Sequence, residues 1–243
     1  MLELRNLEIR YGAVPAVRNL SLEVGKGEIV GLIGANGAGK STTLHAIMSL
    51  VPIYSGDIVL DGRSIRGRAP EAVARTGIAL VPEGRRIYPQ LTVDENLRLG
   101  LAGRRAPEGV EGDLVWVREL FPVVVEMRDR PAGTLSGGQL QMVCIGRGLM
   151  SSPKMIMLDE PSAALAPQIV MDIFRTIHRI TRDGMTVLMV EQNVRMALLL
   201  ATYGYVIKDG VIHIEGPAEK MIHDDNVRLS YLGGTVANRE AQL

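Results

Sequence analysis

Cysteine is nearly absent. Cys144 is the single one in 243 residues, so no intrachain disulfide can form. It sits among apolar residues of an expected helix and reads as a small core residue, which fits a reducing compartment. Net charge is absent too: 27 basic and 27 acidic residues give a formal charge of +0, which argues against a general polyanion binder. The pairs Arg85-Arg86 and Arg104-Arg105 therefore read as solvated surface ahead of the alternative, local contact points. No run approaches the roughly 18 to 20 apolar residues that cross a bilayer; "MALLLA" (196–201) is far too short. The first residues, "MLELRNLEIRYG", carry charge early and hold no apolar signal core. The chain is expected to be soluble, or held at a membrane by partners. There is no low-complexity segment and no clear repeat.

What is present is an ordinary globular composition, 47% hydrophobic and 22% charged, enough for one large domain or a domain with a small lobe. The first third reads as strands and turns. "LELRNLEIRY" alternates imperfectly, "AVRNLSLEV" alternates again, and after the turn "GKGE" comes the buried run "IVGLIG" (29–34). Leu44, Ile47 and Met48 lie at helical spacing behind it. "SGDIVLDGRSI" (55–65) has the strand–Asp-Gly–strand form of a hairpin. The interval 86–150 changes character to mainly helical. Thr92 with Glu95 has capping-box spacing, "GRRAPEGVEGD" (103–113) reads as loop, and "LVWVRELFP" reads as helix. From 155 onward, "MIMLDE", "PQIVMDIFRTIHRITRDG", "TVLMVE" and "NVRMALLLA" alternate strand with helix, the rhythm of a parallel sheet. The tail 235–243 lacks an apolar pattern.

"GANGAGKS" (34–41) fits G-x-x-x-x-G-K-[ST], follows a buried strand and opens a helix. Glycines 34, 37 and 39 permit backbone angles that turn successive N–H groups inward, and these with the helix N-terminus cradle phosphates. Lys40 adds a positive charge and Ser41 a hydroxyl for Mg²⁺. By average composition a chance match in a chain of this size is on the order of one in a hundred. The expected nucleotide contacts are Gly34, Ala35, Asn36, Gly37, Ala38, Gly39, Lys40, Ser41 and Thr42. "MIMLDE" supplies the acids: Asp159 to hold Mg²⁺, and Glu160, one residue past the strand, to orient or polarise an attacking water.

"LSGGQ" (135–139) stands about twenty residues before that acidic strand, at the start of an expected helix. Ser136, Gly137 and Gly138 would offer a hydroxyl and backbone N–H groups at a helix N-terminus, a second anion site. One nucleotide already has a phosphate loop, so two such elements on one chain suggest that two chains share each nucleotide. With these motifs the sequence resembles the ATP-binding subunit of ABC transporters over nearly its whole length, 1–234. The resemblance implies an α/β P-loop NTPase fold with a RecA-like parallel core, an antiparallel β subdomain mostly within 1–66, a helical subdomain at about 86–150, and a core that resumes over 151–215. It implies ATP and Mg²⁺ as ligands, Tyr11 stacked on adenine, and head-to-tail pairing in which one chain's phosphate loop meets the other's Ser136 to Gln139. It further implies two membrane-spanning permease subunits, a periplasmic binding protein acting indirectly, and a peripheral place on the cytoplasmic face of a bacterial or archaeal inner membrane. "LVPEGRRIYPQLTVDENL", "DEPSAALAP", "VEQNV" and "YLGG" resemble the subunits of branched-chain amino-acid importers.

Three positions depart from the wider family. Glu83 stands where a Gln links Mg²⁺ or water to the permease interface; Glu accepts hydrogen bonds only. Ala166 stands where Asp is usual and is a poor N-cap before Pro167, by roughly 1 kcal/mol. Gln192 stands where relatives carry a His on the γ-phosphate. Gln can donate a hydrogen bond but adds no charge, and His45, His178, His213 and His223 are placed elsewhere. The catalytic set is thus expected to be Glu160, Gln192 and Lys40, with Ser41, Asp159 and Glu83 on the metal. The three departures together point to an unlike second ATP-binding subunit, with a homodimer as the other arrangement. A competing function is a non-transport ATPase of the same family acting on nucleic acid or ribosomes. Against it, the chain has no room for long coiled coils and carries one ATPase unit. A GTPase is disfavoured by the missing Asn-Lys-x-Asp guanine reader.

Overall fold

The computed structural model describes residues 1–106, 108–224 and 227. The stretch 231–234 ("YLGG"), the family boundary at Gly234 and the tail 235–243 lie outside the described residues. Two sheets organise the chain. The first contains β1 (Leu2–Tyr11), β2 (Val14–Val24), β4 (Ser55–Leu60) and β5 (Arg63–Ser64) in the order β2-β1-β4-β5, all antiparallel. The imperfect alternation of β1 has a physical origin. Leu2, Leu4, Leu7 and Ile9 are all buried because the register shifts between Leu4 and Leu7, with Asn6 in the left-handed region. Asp61 and Gly62 both have positive φ and join β4 to β5 as the two-residue turn that an Asp-Gly signal predicts.

The second sheet contains β3 (Ile29–Ile33), β6 (Ile78–Val81), β7 (Met155–Asp159), β8 (Thr186–Glu191), β9 (Tyr203–Lys208) and β10 (Val211–Pro217). Their order is β10-β9-β3-β8-β7-β6. All neighbours are parallel except β10 with β9. Every residue of β3, β7 and β8 is buried, so these strands read as continuous apolar runs rather than alternating ones. The chain runs from β3 toward β6 but from β8 back over β3 to β9, so the connections leaving these two neighbouring strands run in opposite senses. The crevice at such a reversal, at the carboxyl ends of the strands, is where open α/β sheets bind ligands.

One face of this sheet packs with the antiparallel sheet and α1 (Lys40–Ile47). The other packs with the helices that follow. After α2 (Pro70–Ala74) and β6 come α3 (Val93–Arg98), a 3₁₀ turn (Leu99–Gly103), α4 (Val110–Leu120), α5 (Pro122–Glu126) and α6 (Gly137–Leu149). Thr92 and Glu95 form the expected capping box in both directions. The loop expected at 103–113 is shorter than read. Residues 110–113 already form the first turn of α4, behind a left-handed Gly109, and Glu111 and Asp113 favour that helix N-terminus. Arg104 is not a solvated arginine: its side chain is nearly buried and paired with Asp113. Arg105 is exposed.

α7 (Pro167–Arg182) buries Val170, Ile173, Phe174, Ile177 and Ile180, a stripe at helical spacing. Ala166 provides no side-chain cap and Pro167 opens the helix, as read from sequence. Then follow α8 (Val194–Leu200) and α9 (Ala218–Met221). Two glycines, Gly146 and Gly148, lie inside α6, and packing supplies the reason. A Cβ on Gly146 would lie 2.9 Å from Leu97 and 3.0 Å from Val117, and one on Gly148 would lie 3.0 Å from Val81. α6 is therefore pressed between the other helices and the parallel sheet. Gly100 is tighter still, because its Cβ would collide with the Arg147 carbonyl oxygen. Gly100→Ala is expected to destabilise by about 1–3 kcal/mol, the range for overpacking. Ala166→Asp is expected to stabilise by about 1 kcal/mol through a restored cap. Urea unfolding of the purified chain measures both; no loss in Gly100→Ala would contradict the packing described.

Candidate functional site

The site begins where β3 ends. Its buried residues aim the chain at Gly34, and a side chain there would collide with the Ile207 carbonyl oxygen. Gly39 sits at φ +107 as the N-cap of α1, a conformation L side chains rarely adopt. α1 has neither a side-chain cap nor an acidic residue in its first turn. Its first N–H groups are thus left for an external anion. Ala35, Asn36 and Gly37 form the exposed lip of the loop, whereas Ala38, Gly39 and Lys40 are buried.

Lys40 is 4% exposed, and its Nζ lies 3.2 Å from Glu160 Oε1 and donates to the Ala35 carbonyl at 3.1 Å. A buried ammonium needs an anionic partner, and Glu160 is that partner here. Glu160 follows β7 directly and is held in the left-handed region at φ +49, a strain of about 1–3 kcal/mol that persists only where the surroundings enforce it. Its N–H donates to the Val190 carbonyl of β8 at 3.0 Å. Beside it, Asp159 is buried and accepts from Ser41 Oγ at 3.0 Å. Burial pushes the Asp159 carboxyl above the usual carboxylate range. The Ser41 bond opposes this, while the charges of Glu83 and Glu160 add to it. A divalent cation fits this arrangement: the donors are a hydroxyl and a buried carboxylate, with a further carboxylate near, and the single buried ammonium is already paired. Among the described residues no cluster of three His, Cys, Asp or Glu forms an all-protein cage. Mg²⁺ does not ask for one, because it binds through one or two carboxylates plus phosphates and water.

The structure brings other expected residues to the same end of the sheet. Tyr11 is half-exposed, with its hydroxyl 3.5 Å from Thr42 Oγ1, so the ring flanks the phosphate loop. Glu83 is exposed, just past β6, beside the strand that carries Asp159. Gln192 is exposed and shares a cavity of about 610 Å³ with Glu160, Ser162 and Arg195. Asn193 caps α8 by accepting from Met196 N, and the Gln192 side chain has no hydrogen-bond partner among the described residues. Ser136 to Gln139 are not brought to the phosphate loop. Ser136 caps α6 in a reciprocal box with Gln139, and the neighbours of Gly137 and Gly138 are Arg85 and Ile169.

Two residues were missed by the reading of the sequence. Glu191 ends β8 and is 2% exposed. Its carboxylate accepts from Ser162 N at 3.0 Å and its carbonyl from Gly34 N at 3.2 Å. It ties the loop after Glu160 to the phosphate loop, and burial pushes its carboxyl upward against the Ser162 bond. An acid ending an otherwise apolar buried strand was the available signal. Arg85 is the second: it is half-buried and bonded to the carbonyls of Ala163 and Ala164. Its reading as solvated surface fails because that segment folds back against the loop after β7.

Comparison with known proteins bears on the family and the fold. The family described as ABC transporter matches residues 17–163. The chain is 44% identical to the high-affinity branched-chain amino acid transport ATP-binding protein BraG of Pseudomonas aeruginosa, covering 96% of this chain and 100% of that one. It is 36% identical to the lipopolysaccharide export system ATP-binding protein LptB of Escherichia coli, over 94% of this chain and 95% of that one. Its fold superposes on the ADP conformation of an ATP-binding cassette of an ABC transporter with a TM-score of 0.86 and 29% identity, over 96% and 99% of the two chains.

Lys40→Ala is expected to weaken ATP binding by at least about thirtyfold, since truncating one member of a buried charged contact costs roughly 2–5 kcal/mol. Titration with a fluorescent ATP analogue reads this. Affinity within threefold of the unsubstituted chain would remove Lys40 from the site.

Proposed function

The chain belongs to the ABC transporter family as one of its ATP-binding, ATP-hydrolysing subunits, and from that premise we propose that it powers import of branched-chain amino acids or similar small polar solutes. One observation carries the reading of how it works: the chain bears two phosphate-binding elements that do not meet. The phosphate loop opens α1, and Ser136 to Gln139 open α6 with no phosphate-loop neighbour. Each nucleotide is then closed in by Lys40 and the loop amides of one subunit and by Ser136, Gly137, Gly138 and Gln139 of another.

Within that site the division of labour follows from charge and reach. Tyr11 stacks on the adenine ring. The N–H groups from Gly34 to Thr42 and the Lys40 ammonium hold the β- and γ-phosphates. Ser41 and Asp159 would hold Mg²⁺, with Glu83 beside them; when bound, the ion neutralises charge between the two phosphates. As phosphate takes over Lys40, Glu160 loses its partner and is left to orient and polarise water. Gln192, with a free amide in the same cavity, donates to the γ-phosphate.

A groove between the end of α1, β6 and α6 supports a permease partner. It is lined by Leu50, Pro82, Leu99 and Arg147, and Leu50 and Leu99 are large apolar side chains left exposed. Among the described residues no helix is long and apolar enough to cross a membrane. As a subunit that drives permeases with ATP, the chain is assigned to the cytoplasmic face of the inner membrane, held there by its partners. The second ATP-binding subunit is an unlike one. Glu83, Ala166 and Gln192 depart together from the family pattern, and a partner carrying histidine at the third position supplies what Gln192 cannot. A periplasmic binding protein acts through the permeases. The higher identity to BraG, 44% against 36%, supports amino acids over the lipopolysaccharide named for LptB.

A tagged chain is expected to be recovered with two hydrophobic membrane subunits and a second ATPase, and that complex in vesicles should take up branched-chain amino acids with ATP inside. Recovery with nucleic acid or ribosomes would overturn this reading. The chain alone should hydrolyse ATP slowly, and Gln192→His should raise that rate severalfold. Fast, cooperative hydrolysis by the isolated unsubstituted chain would remove the need for an unlike partner.

A further inference from the structure

Arg85 is placed unlike any other arginine near the site. It lies two residues past Glu83, on the connection from β6 into the helices, with its backbone in the left-handed region at φ +48. Its Nη2 donates to the Ala163 carbonyl at 2.6 Å and reaches the Ala164 carbonyl at 3.4 Å. Its Nη1 fills the space beside Gly137, 3.0 Å from where a Cβ on that residue would stand. No carboxylate pairs with it among the described residues. One guanidinium therefore joins the β6 connection, the first residue of α6 and the loop that follows Glu160.

That loop is short and tightly determined. Ala163 N donates back to the Glu160 carbonyl at 3.1 Å, so Glu160 to Ala163 form one turn. Ser162 N is held by the Glu191 carboxylate. Glu160 at one end and Ala164 near the other both have positive φ, +49 and +52. Neither is glycine, so outside contacts must hold them there. Glu191 supplies that hold from the sheet, and Arg85 supplies it from the helical side.

We propose that Arg85 is a positioning residue for Glu160: by gripping the Ala163 and Ala164 carbonyls it fixes the turn that aims the Glu160 carboxylate, and it makes that aim depend on where the start of α6 stands. The proposal rests on the reading of Glu160 as the residue that activates water. The hydrogen-bond partners of Arg85 are backbone carbonyls of the loop after Glu160, so its loss is expected to act on turnover and to spare binding. Nη2 serves both carbonyls while Nη1 lies against Gly137; a lysine ammonium is a point donor that reaches the carbonyls and leaves the Gly137 side empty. Lysine should thus restore only part of the effect.

The experiment uses the purified full chain with radiolabelled ATP, together with hydrogen exchange read by mass spectrometry. Arg85→Ala is expected to lower kcat more than tenfold with KM for ATP within twofold, and to speed exchange in residues 160–166 without shifting Tm by more than a few degrees. Arg85→Lys should fall between the two. Arg85→Ala in a Glu160→Gln background should be no slower than Glu160→Gln alone, because both act through one group. Unchanged exchange in the loop, or a kcat within twofold of the unsubstituted chain, overturns the proposal. A double substitution slower than Glu160→Gln by the full single effect overturns it as well, since Arg85 would then act independently. Turnover by Glu160→Gln at the unsubstituted rate overturns instead the reading of Glu160 on which the proposal stands.

Discussion

A buried ammonium cannot be left without an anion, and in this fold that constraint governs the site. Lys40 enters the interior on the first turn of α1, and the 3.2 Å contact with Glu160 satisfies it. On the function proposed above, the same contact occupies the carboxylate assigned to water. Nucleotide binding is then an exchange of partners: phosphate replaces carboxylate on Lys40 and frees the residue that the proposal gives to hydrolysis.

The surrounding structure follows from where that pair must sit. β3 and β7 place their carboxyl ends one strand apart, with β8 between them. β8 contributes Val190 to hold the Glu160 backbone and Glu191 to hold both the phosphate loop and the loop after Glu160. The helices from α3 to α6 pack on this frame through a shared apolar core, and Arg85 adds a polar tie between the start of α6 and the loop after Glu160. Such a tie has a mechanical use: the lobe that carries Ser136 to Gln139 is linked to the loop that carries Glu160. Arrival of a second subunit at the former can be felt at the latter.

Much of this was legible in the sequence because the signals were local. The glycines and Lys40 of the phosphate loop, the acids ending β7, the capping box at Thr92 and the Asp61-Gly62 turn each depend on neighbours within a few residues. The cause of glycine at 146 and 148 lies in Leu97, Val117 and Val81, which only packing brings near. The same holds for Glu191 and Arg85. Their partners, Ser162 and Ala163, are 29 and 78 residues away, and no periodicity or spacing records such a distance. The start of α4 was misplaced because Gly109 and acidic residues suggested a loop, whereas the acids favour the helix N-terminus they stand on.

The exchange at Lys40 is the centre of this account, and calorimetric comparison of ATP binding by the unsubstituted chain and by Glu160→Gln tests it most directly. Glutamine removes the competing charge and leaves Lys40 free for phosphate. The account predicts tighter binding by the variant, by about tenfold or 1.4 kcal/mol. Equal or weaker binding would contradict it, and would mean that Glu160 does not hold Lys40 against the nucleotide.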